Sequence, residues 1–306
     1  MSATSPKRVR LKDRDHDVLR LLDRTPATAP LILKASACFA EPFEDLRRVR
    51  ERMQSLAAGG WVRSTPLAAT SRQAANWYRL TPEGYRLLYG ADSMLPHKTF
   101  FMPMPPSRQE HALWLAEVIV HTMVSAVQSF VTIADYRREN SVVLSLGAET
   151  VKPDGSMQLR TCDGREFNFF IELDNGTEPI RSPQQRETIE RKLRFYERLQ
   201  DGVLATWQRG DRKRPPPRYR VLFFMRSVER KKHLLRAARQ FAANPDRRVC
   251  LGVLIPEYLS DTNPLRSPLA ADHHGRWLGI VSEAYESQFH REPLRLEPLT
   301  SSLTPA

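Results

Sequence analysis

Apolar residues near the start of the chain recur at helical spacing and then give way to the alternation typical of strands. Leu11, Val18, Leu19 and Leu22 make a stripe flanked by charge, which predicts a first helix over 11–22. A short second helix is expected over 29–39, bracketed by Pro26, Pro30 and Pro42. The third is clearer: in EPFEDLRRVRERMQSLAAGG, Leu46, Val49, Met53 and Leu56 fall on one face, and Gly59 and Gly60 supply the stop. The runs WVRST (61–65) and NWYRLT (76–81) then read as two strands, joined by a polar turn that contains Ser71, Arg72 and Gln73. LTPEGYRLLYG follows as a short helix, with Thr81 as its cap and Pro82 in its first position.

Three helices, a hairpin and a closing helix are the order of a winged helix-turn-helix, in which the third helix is the DNA reader. Its outward side carries Arg47, Arg48, Arg50, Arg52 and Gln54, residue types that contact phosphates and guanine edges, and Arg72 sits in the turn of the hairpin. The alternative is a solvated helix whose arginines pair with Glu44, Asp45 and Glu51. The stretch MLPHKTFFMPMPPSRQ, with Pro96, Pro103, Pro105 and Pro106, predicts a boundary between Asp92 and Arg108. The expected organisation is therefore a DNA-binding domain over 1–92, a linker over 93–107, a second domain over 108–255 and an irregular tail over 256–306.

The second domain opens with HALWLAEVIVHTMVSAVQSF, apolar on much of its circumference and thus expected to pack on a sheet. Strands follow at FVTIADYR and VVLSLG. VKPDGSMQLRTCDGREFNFFIELDNGTEP then reads as a hairpin: Pro153-Asp154-Gly155 opens one strand, residues 162–165 turn, and the chain returns from Glu166 to Leu173. A long helix (PQQRETIERKLRFYERLQ), a strand (RVLFFM), a helix (ERKKHLLRAARQFAAN) and a strand (RVCLGVLI) complete an α/β sandwich.

Charge narrows the partners. The 306 residues carry 47 Lys+Arg against 35 Asp+Glu, a net charge of +12, which points to a polyanion. No apolar run reaches the ~18 residues that span a bilayer, so a membrane is not expected. The N-terminal run MSATSPKRVRLKDRD has no apolar signal core, and Cys38, Cys162 and Cys250 are sparse and far apart; both features predict a reduced, cytoplasmic protein. No GxxxxGK[ST] segment is present, which argues against P-loop NTP hydrolysis.

Candidate chemistry lies in the hairpin. Glu172 and Asp174 close an apolar strand (FNFFIELD), where a carboxylate is costly unless it is paired or bound to a cation. The hairpin can bring Asp154 to the same edge, and hard oxygen ligands converging there suit Mg²⁺, or Mn²⁺ in its place. On the following helix Ile189, Leu193, Tyr196 and Leu199 mark the inward stripe, and Lys192 falls inside it. An inward lysine near a carboxylate cluster would stabilise the pentavalent phosphate or orient the nucleophile; the alternative is that it snorkels past the core edge or pairs with Glu172. Tyr196, in the same stripe, is expected in the core rather than as a covalent nucleophile.

PDG, then a strand ending IELDNGTE, then KLRFYERL resembles the replication-relaxation family of bacterial plasmids and mobile elements. WYRLTPEGYRLL and EHALWLAE extend the likeness to roughly residues 10–255. The resemblance implies a winged helix joined to a PD-(D/E)xK nuclease-like domain with a restriction-endonuclease-like fold, as in a class of conjugative relaxases. Asp154 then takes the motif aspartate and Glu172 the motif glutamate. The lysine expected two positions later is Asp174 here, with Lys192 as a migrated substitute and Glu117 as the extra acidic ligand such folds often use. The catalytic set so implied is Asp154, Glu172 and Lys192, and the metal set Asp154, Glu172, Asp174 and Glu117. Two functions follow: a Mg²⁺-dependent nickase or endonuclease at a double-stranded plasmid or mobile-element origin, or a non-catalytic replication accessory factor or regulator. Either would work beside replication or conjugation proteins.

Overall fold

The computed structural model describes residues 10–281 apart from 68–75, 177–178, 181, 183–187, 210–218, 243 and 245. The chain forms two compact units, Met1–Val127 and Gln128–Ala306. Both mix helices with sheets, so the chain is of the expected α/β class.

The first unit runs α1 (Asp13–Arg24), β1 (Ala27–Thr28), α2 (Ala29–Ala35), α3 (Leu46–Ala58), β2 (Val62–Pro66), β3 (Asn76–Leu80), α4 (Pro82–Tyr89) and α5 (Pro106–Gln128, whose last residue opens the second unit). The helical stripes bury the residues that define them: Val18, Leu19 and Leu22 on α1, and Val49, Met53 and Leu56 on α3. Asp45 starts α3, its side chain accepting from the Arg48 N–H at 2.8 Å. β3 pairs antiparallel with both β2 and β1 in a three-stranded sheet. Thr81 caps α4 by accepting from the Gly84 N–H at 3.0 Å. A Cβ on Gly84 would lie 2.1 Å from the Trp61 carbonyl oxygen, so only glycine lets α4 approach that closely.

The proline-rich stretch is not a free linker. Arg63 and Arg79 stand opposite each other on β2 and β3, and they donate to the carbonyls of Phe101 (3.1 Å) and Met102 (2.7 Å). The Phe101 ring is buried and meets Tyr85 edge-on at 6.2 Å. α5 then begins at Pro106, ahead of the expected start, because the first helical turn needs no N–H donor from that residue.

The second unit contains β4 (Val131–Arg137), β5 (Leu144–Leu146), β6 (Glu149–Val151), β7 (Gly155–Thr161), β8 (Glu166–Asp174), α6 (Ile189–Arg209), β9 (Arg220–Met225), α7 (Val228–Phe241), β10 (Cys250–Leu254), α8 (Ile255–Ser260), β11 (Ala270–Ala271) and β12 (Trp277–Leu278). A seven-stranded sheet has the order β12-β11-β10-β9-β8-β7-β4. β4, β7 and β8 are antiparallel neighbours, while β8, β9 and β10 run parallel. Each parallel crossover returns through a helix, which brings the first turns of α6 and α7 to the carboxyl ends of β8 and β9. Along β8, Phe167, Phe169, Ile171 and Leu173 share one face. Phe170, Glu172 and Asp174 share the other, where Phe170 stacks on Tyr196 of α6 at 5.8 Å. Ile189, Leu193 and Tyr196 of α6, Val221 and Phe223 of β9, and Leu234 and Leu235 of α7 belong to one core cluster.

Residues 256–281, part of the tail expected to be irregular, instead extend the sheet with β11 and β12. Buried Asp272 organises the turn between them, accepting from the N–H groups of His274 (2.9 Å) and Arg276 (3.0 Å) and pairing with Arg276 and Arg248. Strands of two residues are too short to show alternation, so the sequence pattern carries no sign of them.

Candidate functional site

Asp154 sits immediately before β7. Its N–H donates to the Ile171 carbonyl at 2.9 Å, and its Oδ2 accepts from the Leu173 N–H at 2.7 Å. These two bonds strap the residue across the hairpin, on either side of Glu172. Glu172 is only 3% exposed. Its Oε2 accepts from Lys192 Nζ at 3.0 Å and its Oε1 from the Tyr196 hydroxyl at 2.6 Å. Lys192 and Tyr196 are four residues apart on α6 and so present one face to the strand. The Tyr196 carbonyl in turn accepts from the Tyr219 hydroxyl at 2.6 Å.

The electrostatics follow from burial. Loss of water pushes the Glu172 carboxyl up to about 7; Asp154 adds to the rise, while Lys192 and the Tyr196 hydrogen bond oppose it. Burial and the neighbouring Glu172 push the Tyr196 hydroxyl well above its ordinary range, which keeps it a proton donor to the carboxylate.

Asp174 lies on the same strand face as Glu172 but has a different partner. Arg230, from the first turn of α7, grips it through Nε–Oδ2 (2.5 Å) and Nη2–Oδ1 (3.1 Å), and the Gly176 N–H adds a bond to Oδ1 at 2.8 Å. Glu117 is half-buried on α5 in the first unit, where desolvation raises its pKa and Lys34 opposes the rise. The structure thus gathers Asp154, Glu172, Lys192 and Tyr196 into one network and sets Asp174 beside it with Arg230.

Hard carboxylate oxygens next to one another, one of them buried and reluctant to ionise, form a donor set that a divalent cation would relieve. Asp154 and Glu172 fit such an ion. Asp174, with both oxygens held by Arg230 and one also by Gly176, fits the role of an anchor better than that of a ligand.

On α3, Arg47, Arg48, Arg50 and Gln54 are exposed as expected. Arg47 and Arg48 both reach Glu51, at 3.2 and 4.0 Å, in exposed pairings of the kind the solvated-helix alternative expects, and such pairings contribute little to stability. Arg52 does not belong to this face. It turns inward to the fully buried Asp15, with Nε–Oδ1 at 2.7 Å and a second bond from Nη2 to Oδ2, and it also donates to the Arg10 carbonyl at 2.9 Å. The cost of burying a carboxylate without a partner is the physical reason for this turn. Arg72 lies outside the described residues.

Two members of the site do not follow from the sequence pattern. Tyr196 stands in the apolar stripe, and its spacing of one turn from Lys192 is the one signal that could have marked it. Arg230 has none, since 56 residues separate it from Asp174.

The family model described as replication-relaxation matches residues 23–211, more than half of the chain. No curated protein and no solved structure matches it. Among the described residues no helix is long and apolar enough to cross a membrane.

Proposed function

Because the chain belongs to the replication-relaxation family, which ties it to plasmid or mobile-element replication or mobilisation, we propose that it binds double-stranded DNA through its first unit and nicks or cleaves it with its second. One observation carries this reading: a buried glutamate at the carboxyl end of β8, beside Asp154, that takes a lysine and a tyrosine from the facing helix. A strand end packed for stability alone would be served as well by an apolar side chain of similar volume. The order of elements in the first unit, with Arg47, Arg48, Arg50 and Gln54 exposed on α3, supports a winged helix with α3 as reader. The meander β4-β7-β8 followed by a crossover to parallel β9 supports a PD-(D/E)xK type of nuclease unit.

Asp154 and Glu172 would hold Mg²⁺ or Mn²⁺, which when bound supplies a polarised phosphate and a more acidic water. The other roles fall to the chain. Tyr196 orients the Glu172 carboxylate by donating to Oε1, and Lys192 neutralises Oε2 and carries positive charge to where phosphate charge accumulates.

A second reading has its own support. Lys192 and Tyr196 already satisfy Glu172, and Arg230 satisfies Asp174, as a non-catalytic scaffold for an accessory factor or regulator would require. Supercoiled plasmid carrying the cognate origin separates the two. Nicked or linear product with Mg²⁺ or Mn²⁺, abolished by EDTA and by Asp154→Ala, supports the enzyme. DNA binding without any cleavage supports the accessory factor.

A further inference from the structure

α6 and α7 pack on one core cluster, but the cations on their outer faces are placed differently. On α6, Arg194 pairs with Glu190 at 2.8 Å, and Arg198 pairs with Glu149 of β6. On α7, Leu234, Leu235 and Ala238 point into the core, while Lys232, Arg236 and Arg239 fall together outside that stripe, exposed or half-buried. Among the described residues none of these three has a hydrogen bond or an ion pair. Glu229 is the acid on the outer side of α7, and among the described residues it pairs with none of them.

Neither solubility nor local stability accounts for the set. A face kept charged for solubility mixes both signs, as α6 does. Arg239 stands in the last turn, where the helix dipole favours a cation; Lys232 and Arg236 lie outside that turn and gain nothing from it. These two are four residues apart, a spacing at which like charges destabilise a helix. A polyanion laid on the surface removes that repulsion.

Spacing and position point to the ligand. Residues 232 and 239 stand about 10.5 Å apart along the axis of α7. Over that distance one strand of duplex DNA carries about three phosphates. The three cations begin about one turn into α7, whose N-terminus lies at the same end of the sheet as Glu172. An acidic membrane suits them less, because the apolar stripe of α7 is buried in the core.

We propose that Lys232, Arg236 and Arg239 form a phosphate-binding ridge with which the second unit grips the backbone of duplex DNA. The proposal rests on the reading of the chain as a duplex-binding protein, and it adds a grip by the second unit to the one proposed for α3. Contacts to the backbone carry no sequence information, so a duplex of any sequence serves as the probe.

The test uses the full chain and a duplex of about 30 base pairs in EDTA, so that no metal-dependent cleavage intervenes. Lys232→Gln, Arg236→Gln and Arg239→Gln together are expected to weaken binding at least tenfold at about 0.15 M salt. They should also lower the slope of log affinity against log salt by up to about 2.7, or about 0.9 for each phosphate contact. Arg160→Gln, Arg165→Gln and Arg198→Gln remove the same charge from positions that already hold Glu166, Asp163 and Glu149, and should lower the slope by less than about 0.5. A second readout needs no variant: duplex should slow acetylation of Lys232 by N-hydroxysuccinimidyl acetate at least threefold, as read by mass spectrometry. A wild-type slope in the α7 variant, or a loss no greater than that of the control, overturns the proposal. If the α7 variant does not fold, acetylation decides, and a rate unaffected by duplex overturns the proposal. Capture of the wild type by phosphatidylserine vesicles, abolished in the α7 variant while duplex binding is unchanged, assigns the ridge to a membrane and overturns it as well. A loss in the α7 variant with none in Arg47→Ala, Arg50→Ala upholds the ridge and sinks α3 as reader. Absence of any duplex binding by the wild type overturns both, so the failures are distinguishable.

Discussion

At the scale of single residues, Glu172 makes the sharpest claim. Its folded pKa of about 7 stands above the ordinary 4.5, chiefly because it is buried. Below about 4.5 both folded and unfolded chains hold the proton, and the stabilisation is complete. Between 4.5 and 7 only the folded chain holds it, so stability falls as pH rises through this window, by roughly 3 kcal/mol. Urea unfolding in EDTA at pH 5 and pH 8 should show that loss, and Glu172→Gln should remove it. A wild-type stability that is flat across the window would sink the claim. Arg52 tests a different residue-scale balance. Arg52→Ala leaves Asp15 buried without its cation and is expected to cost about 3 kcal/mol by thermal or urea unfolding. Arg47→Ala, on the exposed face, should cost under about 0.5 kcal/mol.

Between elements, the same contrast decides what the sequence revealed. The face of α3 was legible because Val49, Met53 and Leu56 repeat locally, and the β7–β8 hairpin because PDG and a four-residue turn bracket two strands. The stripe of α6 gave the inward direction of Lys192, and of the roles it left open the structure shows the bond to Glu172. What stayed hidden depends on long-range partners. Asp15 lies 37 residues from Arg52, and Asp174 lies 56 from Arg230, so neither pair leaves a local pattern. The stretch after α4 read as a linker because prolines exclude a helix, yet hydrogen bonds from Arg63 and Arg79 fasten it to the β2–β3 hairpin. Arg79→Ala should therefore release that stretch. Limited trypsin or chymotrypsin digestion is expected to cut the variant near Phe100–Met102 several times faster than the wild type, because backbone deprived of its partners opens more often. Equal rates of cleavage would mean that packing of Phe101 alone holds the segment. α7 gives a second measure of element packing. A Cβ on Gly252 of β10 would stand 2.9 Å from Lys231 Cγ, so Gly252→Ala should cost on the order of 1–3 kcal/mol.

At the scale of the whole molecule, the proposed division of labour predicts how variants in the two units combine. In that proposal the exposed arginines on α3 would supply ground-state attraction to the duplex, whereas Asp154 and Glu172 would act on the reacting phosphate. Arg47→Ala with Arg50→Ala should then weaken duplex binding and lower the slope of log affinity against log salt by about 0.9 for each phosphate that the protein no longer neutralises. Turnover at saturating DNA should stay near the wild-type value. Asp154→Ala should do the reverse: affinity is kept and metal-dependent turnover disappears. With all three changes combined, the losses of free energy should add to within about 0.5 kcal/mol, as expected of sites that share no partner. A filter-binding salt series and single-turnover nicking on the same four proteins measure both quantities. Strong non-additivity, or a change in salt slope caused by Asp154→Ala, would show that both units grip the same stretch of DNA. The arginines of α3 would then be part of the cleavage geometry rather than a separate anchor.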